Sequence, residues 1–296
     1  MIHSKENELK KALELNKQQA EFYNNISHKD DAEEFTGYAL NKDANLITRI
    51  WAKLRYAHQD AFEDIGVDSA KLNFLLDHCR NRSGGRFLEI GCFRGTRFSD
   101  PIIECAGSYT GIDLSKSAIS AFQKKVDKDG HTEKVTLIAG DLLEHEPNEQ
   151  YDVLFAHGVL HHFESTELLF DKLNSLVKPG GIMLCAEPSQ VNRLFQFIRM
   201  LYRPFQSDKA WEWPFVRKSV SDLKKYFTIE SGFGWGRYSM LLSLTHSIPG
   251  VGSIMNPLYK WLLKKELDSK LSSNIWLNST VVLCCSSKKD QSHSAN

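Results

Sequence analysis

Between Arg86 and Glu187 five short apolar runs, "RFLEI", "SYTGID", "KVTLIAGD", "YDVLFAH" and "GIMLCAE", alternate with segments of helical periodicity. A short apolar run alone fits a strand or a buried helix, but regular alternation with helices points to strands. Strands separated by helices pair in parallel, and a parallel sheet needs cover on both faces. The expected fold is therefore α/β, built on a doubly wound, mainly parallel sheet. One intervening helix, "SKSAISAFQKKV", sets Ala118, Ile119, Phe122 and Val126 on one face behind a Ser115 cap. Another, "STELLFDKLNSLV", is expected to run until Pro179-Gly180-Gly181 stops it.

The flanks extend this core. Residues 1–28 read as a helix, and 44–65 carries an apolar stripe through Ile47, Ile50, Trp51 and Leu54. Ser69 is the expected N-cap of a shorter helix bearing Leu72, Leu75 and Cys79. Beyond Glu187, "FTIESGFG" reads as a sixth strand and "STVVLCCSS" as a seventh, with a helical insertion between them. The spacing predicts three parts: an N-terminal helical cap at 1–83, a core at 84–190, and substrate-side helices with the last two strands at 191–296. The closing "KKDQSHSAN" is expected to be a disordered tail.

Composition narrows the class of partner. In 296 residues, Lys+Arg 37 balance Asp+Glu 37, which argues against a chain whose main work is gripping phosphates. The six cysteines show no metal-ligand spacing and read as small buried hydrophobes of a reduced, cytoplasmic protein. The polar start, "MIHSKENELKKALEL", does not resemble a signal peptide, and no apolar stretch reaches the roughly 18–20 residues of a membrane span.

The turn after "RFLEI" carries the chemistry. Gly91 and Gly95 allow backbone to approach a ligand without a Cβ in the way. In a doubly wound sheet, ligands sit at the carboxyl ends of the strands where strand order reverses. Asp113, closing the second run, is placed either to accept from a ribose diol or to serve as a helix N-terminal charge. Asp141, closing the third, is either a ligand group or a turn-forming residue. Glu187, closing the fifth, either orients substrate or caps the next helix. A dinucleotide fingerprint would need glycine where Phe93 stands.

Glu89-Ile-Gly91-Cys92-Phe93-Arg94-Gly95, Gly111-Ile-Asp113-Leu114-Ser115, Ala139-Gly140-Asp141-Leu142, "GVLHHF" and "LVKPGG" follow one another in this order. Over roughly 84–190 the chain resembles the class I S-adenosylmethionine-dependent methyltransferases, in their small-molecule branch. The resemblance implies a Rossmann-like seven-stranded sheet and S-adenosyl-L-methionine as cofactor. It implies that Glu89, Gly91 and Gly95 line the methionine end, Asp113 the ribose, and Leu114, Asp141 and Leu142 the adenine. Backbone at Ala156 and His157 would hold the ammonium group. His162, with His161 and His157 as helpers, is the candidate base. Two departures stand out: Phe93 replaces a usual glycine, and Pro101 falls in the following helix. The helix is accordingly expected to begin near Ser99, with Phe93 turned away from the cofactor.

The acceptor should meet the additions to the core. Residues 191–227 hold eight Lys/Arg against three acids, interleaved with aromatics. "NPLYKWLLKKEL" could lie in a membrane interface. The leading expectation is O-methylation of a hydrophobic or lipid-linked, amphipathic small molecule, with peripheral membrane contact. The alternatives are an RNA methyltransferase and a non-catalytic interaction module.

Overall fold

The computed structural model describes residues 2–27, 62, 64–205, 210–243, 245, 250–268 and 275–289. The predicted stripe at 44–65 lies outside the described residues apart from 62, 64 and 65, and the tail lies outside them from 290. Seven strands form one sheet in the order β3-β2-β1-β4-β5-β7-β6. They are β1 Arg86–Ile90, β2 Ser108–Asp113, β3 Val135–Ala139, β4 Tyr151–His157, β5 Val177–Pro188, β6 Phe227–Trp235 and β7 Thr280–Ser287. The first five pair in parallel, and β7 runs antiparallel between β5 and β6. Strand order reverses between β1 and β4, which places the ligand crevice there.

The described helices are α1 Ile2–Ser27, α2 Val67–Arg80, α3 Ser99–Cys105, α4 Lys116–Asp129, α5 Thr166–Leu176, α6 Arg193–Tyr202, α7 Arg217–Tyr226, α8 Ser239–Ser243 and α9 Val251–Leu267. Alternate residues of the central strands serve opposite faces. Leu88, Ile90, Leu154 and Ala156 join the core that includes Leu169 and Phe170 of α5. Phe87, Tyr109, Val153 and Phe155 join the other, with Phe122 of α4 and Ile102 of α3. Both faces are buried, which is why these strands read as continuous apolar runs.

Local chemistry explains most boundaries. Ser115 caps α4, its hydroxyl accepting from the Ala118 N–H at 3.2 Å, and Gly130 closes that helix in the left-handed region. Pro101 falls in the first turn of α3, which begins at Ser99 as expected. The proline's missing N–H is one of the four that a helix start leaves without an intrahelical partner, so it costs that helix no hydrogen bond.

Two boundaries correct the sequence reading. α2 begins at Val67 after Gly66 in a left-handed conformation, so Ser69 lies inside the helix and is not its N-cap. α5 stops at Leu176, and the chain enters β5 at Val177, passing through Pro179-Gly180-Gly181 within that strand. Strand pairing of Val177 with Tyr151 ends the helix before the proline can.

Candidate active site

The turn after β1 is built from left-handed backbone. Gly91, Phe93 and Gly95 have φ of 67°, 47° and 79°. A Cβ on Gly91 would lie 2.5 Å from Val159 Cγ2, and one on Gly95 would lie 2.5 Å from the Phe122 ring. Glycine is thus required twice, by conformation and by close approach. Phe93 takes the conformation in which the family usually has glycine. The Asp113 carboxylate braces it: Oδ2 accepts from the Phe93 N–H at 2.9 Å and Oδ1 from the Ser115 N–H at 2.8 Å. Burial raises the Asp113 carboxyl to about 6, opposed by these two bonds.

Glu89 is fully buried and receives the Ser99 hydroxyl at 2.9 Å and the Tyr109 hydroxyl at 2.5 Å. It ties β1 to β2 and to the first residue of α3. Burial pushes its carboxyl up to about 7 against the pull of those hydrogen bonds.

Asp141 stands just beyond β3, beside Asp113. Asp113 and Ala139 are in register, and the Gly140 N–H donates to the Asp113 carbonyl at 2.9 Å. Asp141 Oδ1 accepts from the Leu143 N–H at 2.9 Å, and Oδ2 accepts from the Asn16 side-chain amide at 2.8 Å. Burial raises its carboxyl, and the Asn16 bond opposes the rise. Asn16 belongs to α1, which crosses this edge of the sheet. Gln19 donates to the His162 carbonyl at 3.1 Å, and Asn24 accepts from the Ser115 hydroxyl at 3.0 Å. These three amides were not singled out in the sequence. Their signal is weak: uncharged polar residues on one side of an otherwise charged helix.

The histidines follow β4. His161 Nδ1 donates to Glu187 Oε2 at 2.7 Å, which holds a proton on Nδ1. Glu187 is fully buried, and its Oε1 takes the N–H groups of Val159 at 3.1 Å and Leu160 at 2.9 Å. It therefore neither reaches toward substrate nor caps α6. It holds the turn whose Val159 packs on Gly91. The His162 ring lies 4.2 Å from that of His161, and its Nδ1 donates to the Trp211 carbonyl at 2.8 Å. Trp213 N–H donates to the His161 carbonyl at 2.6 Å, so the 211–213 segment is strapped along both histidines. Burial lowers His162 to about 3, with the adjacent His161 contributing.

His157 lies apart from this pair. Its Nε2 is 3.4 Å from Lys71 Nζ and its ring packs on Phe98 at 4.6 Å. Burial and then the Lys71 cation lower it to about 3. Ala156 is fully buried within the sheet, in register with Ile90 and Cys185, so emerging backbone begins at His157–Gly158. Leu142 is buried in the core, while Leu114 is half-buried beside Asp113.

These residues fit an adenosine-bearing cofactor. Two half-buried carboxylates stand at adjacent strand ends, both raised in pKa by burial, and each oxygen, already holding one protein donor, has a second lone pair for a ribose diol or an adenine amine. At Gly158, with φ 66°, a Cβ would meet nothing within 4 Å, so backbone is open to the crevice there.

Residues 88–183 match the Methyltransf_12 family, a methyltransferase domain. The chain carries a class I S-adenosylmethionine-dependent methyltransferase domain. The chain spans about half the length of the curated relatives it matches. A malonyl-[acyl-carrier protein] O-methyltransferase 2 of Ilyobacter polytropus is 29% identical over 138 residues, 47% of this chain and 51% of that protein. A ubiquinone biosynthesis O-methyltransferase of Brucella ovis is 30% identical over 123 residues, 40% and 46% of the two chains. Among solved structures, the YcgJ protein of Bacillus subtilis superposes with a TM-score of 0.51 at 14% identity, covering 74% of this chain and 97% of that one. That likeness shows the methyltransferase fold, including the antiparallel β7.

Proposed function

We propose that the protein transfers a methyl group from S-adenosylmethionine to a hydroxyl of a hydrophobic or lipid-linked, amphipathic small molecule. The observation that carries this reading is the meeting, at one sheet edge, of the Asp113–Asp141 pair with a histidine pair whose tautomers are set by Glu187 and by the Trp211 carbonyl. O-methyltransferases among the relatives support the choice of oxygen as acceptor.

When bound, the cofactor supplies a methyl group activated by a sulfonium. Asp113 binds the ribose hydroxyls and Asp141 the adenine amine, with Leu114 and Leu142 beside the base. Glu89, Gly91 and Gly95 shape the methionine end, with the ammonium group held by backbone emerging from Ala156 at His157. His162 takes the acceptor's proton at Nε2, because it is half-buried where His161 is buried and so is the ring that substrate can reach. His161, fixed by Glu187, buttresses His162 by ring contact, and His157 orders the β4 end through Lys71. Alignment does the larger share of the work, since positioning alone contributes on the order of 7–11 kcal/mol. In this reading 1–83 is a cap, 84–190 the cofactor core, and 191–296 the substrate side of a cytoplasmic protein in peripheral contact with membrane.

Calorimetry with S-adenosylhomocysteine should show binding. Labelled methyl transferred to a cell extract should enter the lipid or small-molecule fraction. No binding would reject the cofactor assignment, and label in RNA would reject the acceptor class.

A further inference from the structure

α6 is inside out for a helix that faces water. Its inward side buries Phe195 together with Arg199, which is 7% exposed and pairs with Glu212 at 2.5 Å. Its outward side presents Leu194, Phe197, Met200 and Leu201, with Phe197 55% and Met200 62% exposed. A helix serving only the core would show the reverse order.

α9 is apolar on two opposite sides. Tyr259 and Leu263 are buried toward the sheet, packed with Trp235 and Val282. On the opposite side Ile254, Leu258 and Trp261 follow at steps of four and three residues, with Ile254 78% and Trp261 53% exposed. Lys265 continues the line, its ammonium 4.3 Å from the centre of the Trp261 ring.

Both helices leave the same edge of the sheet. Pro188 at the end of β5 and Trp235 at the end of β6 are each in register with Thr280 at the start of β7. Asp113 and His157 end strands at that edge. Charge on the two helices has one sign outside. Their only acid is Glu266, which is buried and accepts from the N–H groups of Gly236, Tyr238 and Ser239. Arg199 is matched by Glu212 and Lys260 by Asp64, so Arg193, Lys264 and Lys265 set the sign.

We propose that the outward faces of α6 and α9 dock on an anionic lipid bilayer, with the apolar stripes in the acyl boundary and Trp261 and Lys265 at headgroup depth. The apolar stripes supply burial, the basic rim supplies attraction to acidic headgroups, and a Trp–Lys pair suits a boundary with one apolar and one wet side. Docking would turn the edge that carries the crevice toward the membrane. The inference deepens the reading of a lipid-soluble acceptor and rests on it for its purpose, while its geometry stands on the two helices alone.

The test is flotation of the full chain with vesicles of phosphatidylcholine, alone or with phosphatidylglycerol. Binding is expected to the acidic vesicles, at least tenfold weaker to the neutral ones. The double substitution Phe197→Glu, Trp261→Glu should weaken it at least tenfold while leaving the thermal midpoint unchanged, since both side chains point outward. No flotation with acidic vesicles, or equal flotation of the variant, overturns the proposal. So does a native dimer in sedimentation that the substitutions dissolve, which would assign the face to a second copy. Calorimetry with S-adenosylhomocysteine on the same samples separates the outcomes: no flotation of the native protein, or undiminished flotation of the variant, with normal calorimetry rejects the docking face and leaves the cofactor reading in place.

Discussion

The Asn16 amide donates to Asp141 Oδ2 at 2.8 Å, bridging residues 125 positions apart. Asp141 is the group expected to accept from adenine, so α1 already satisfies one of the two oxygens a cofactor would use. Oδ1 already accepts from the Leu143 N–H, so an adenine amine shares an oxygen with a protein donor or displaces the Asn16 amide.

Asn16→Ala should therefore tighten S-adenosylhomocysteine binding, by about 0.5–1.5 kcal/mol, the net worth of a typical hydrogen bond. Titration calorimetry reads this directly. Equal or weaker binding would mean that α1 supports the cofactor and does not compete with it.

Phe93→Gly should stabilise the protein by up to about 1 kcal/mol. A side chain in the left-handed region costs about 1–2 kcal/mol, and glycine gives back part of the relief through unfolded-chain entropy of about 0.5–1 kcal/mol. Urea unfolding measures the difference. A loss of stability would show that Phe93 packing, including its contact with the Arg94 guanidinium, outweighs the backbone strain.

Glu187→Gln should destabilise by about 1–3 kcal/mol and lower turnover. Glutamine offers one acceptor oxygen where the carboxylate serves four N–H groups through two, so a buried donor loses its partner. Chemical denaturation and turnover should fall together, because the same carboxylate holds the Val159 turn and the His161 tautomer. Unchanged turnover would remove His161 from the site.

The histidines predict a pH signature. His162, lowered to about 3, binds a proton more weakly folded than unfolded. Its contribution to stability is full above the unfolded value of about 6.5 and is lost as pH falls toward 3. The stability of native protein relative to His162→Gln should thus decline from about pH 7 to about pH 4. Glu89 and Asp113, raised to about 7 and about 6, act in the opposite sense, so the comparison must be made between these two proteins at each pH. Turnover should show no inflection near pH 6.5 from His162. An inflection there would put the working proton on another group.

Elements set by neighbouring residues alone are legible in the sequence. β1, β2 and β4 coincide with their apolar runs, and Ser115 caps its helix as expected. Ser69 failed as a cap because left-handed Gly66 starts α2 earlier, and helix α5 ended early because Val177 paired with Tyr151. Glu187 is conspicuous at the end of its apolar run, yet its task lies in partners 26 to 28 residues away, beyond what spacing can show.

By itself the sequence determined the alternating strands, the glycine turn and the carboxylates that end β2 and β3. Each of these follows from short-range rules of burial, backbone freedom and hydrogen-bonding capacity that a few neighbouring residues express. Only the tertiary structure decided that Asn16 meets Asp141, that Glu187 grips the turn beneath His161, and that α6 and α9 turn apolar faces outward. Those depend on which side of a helix meets the sheet, and that is settled by packing the whole chain at once.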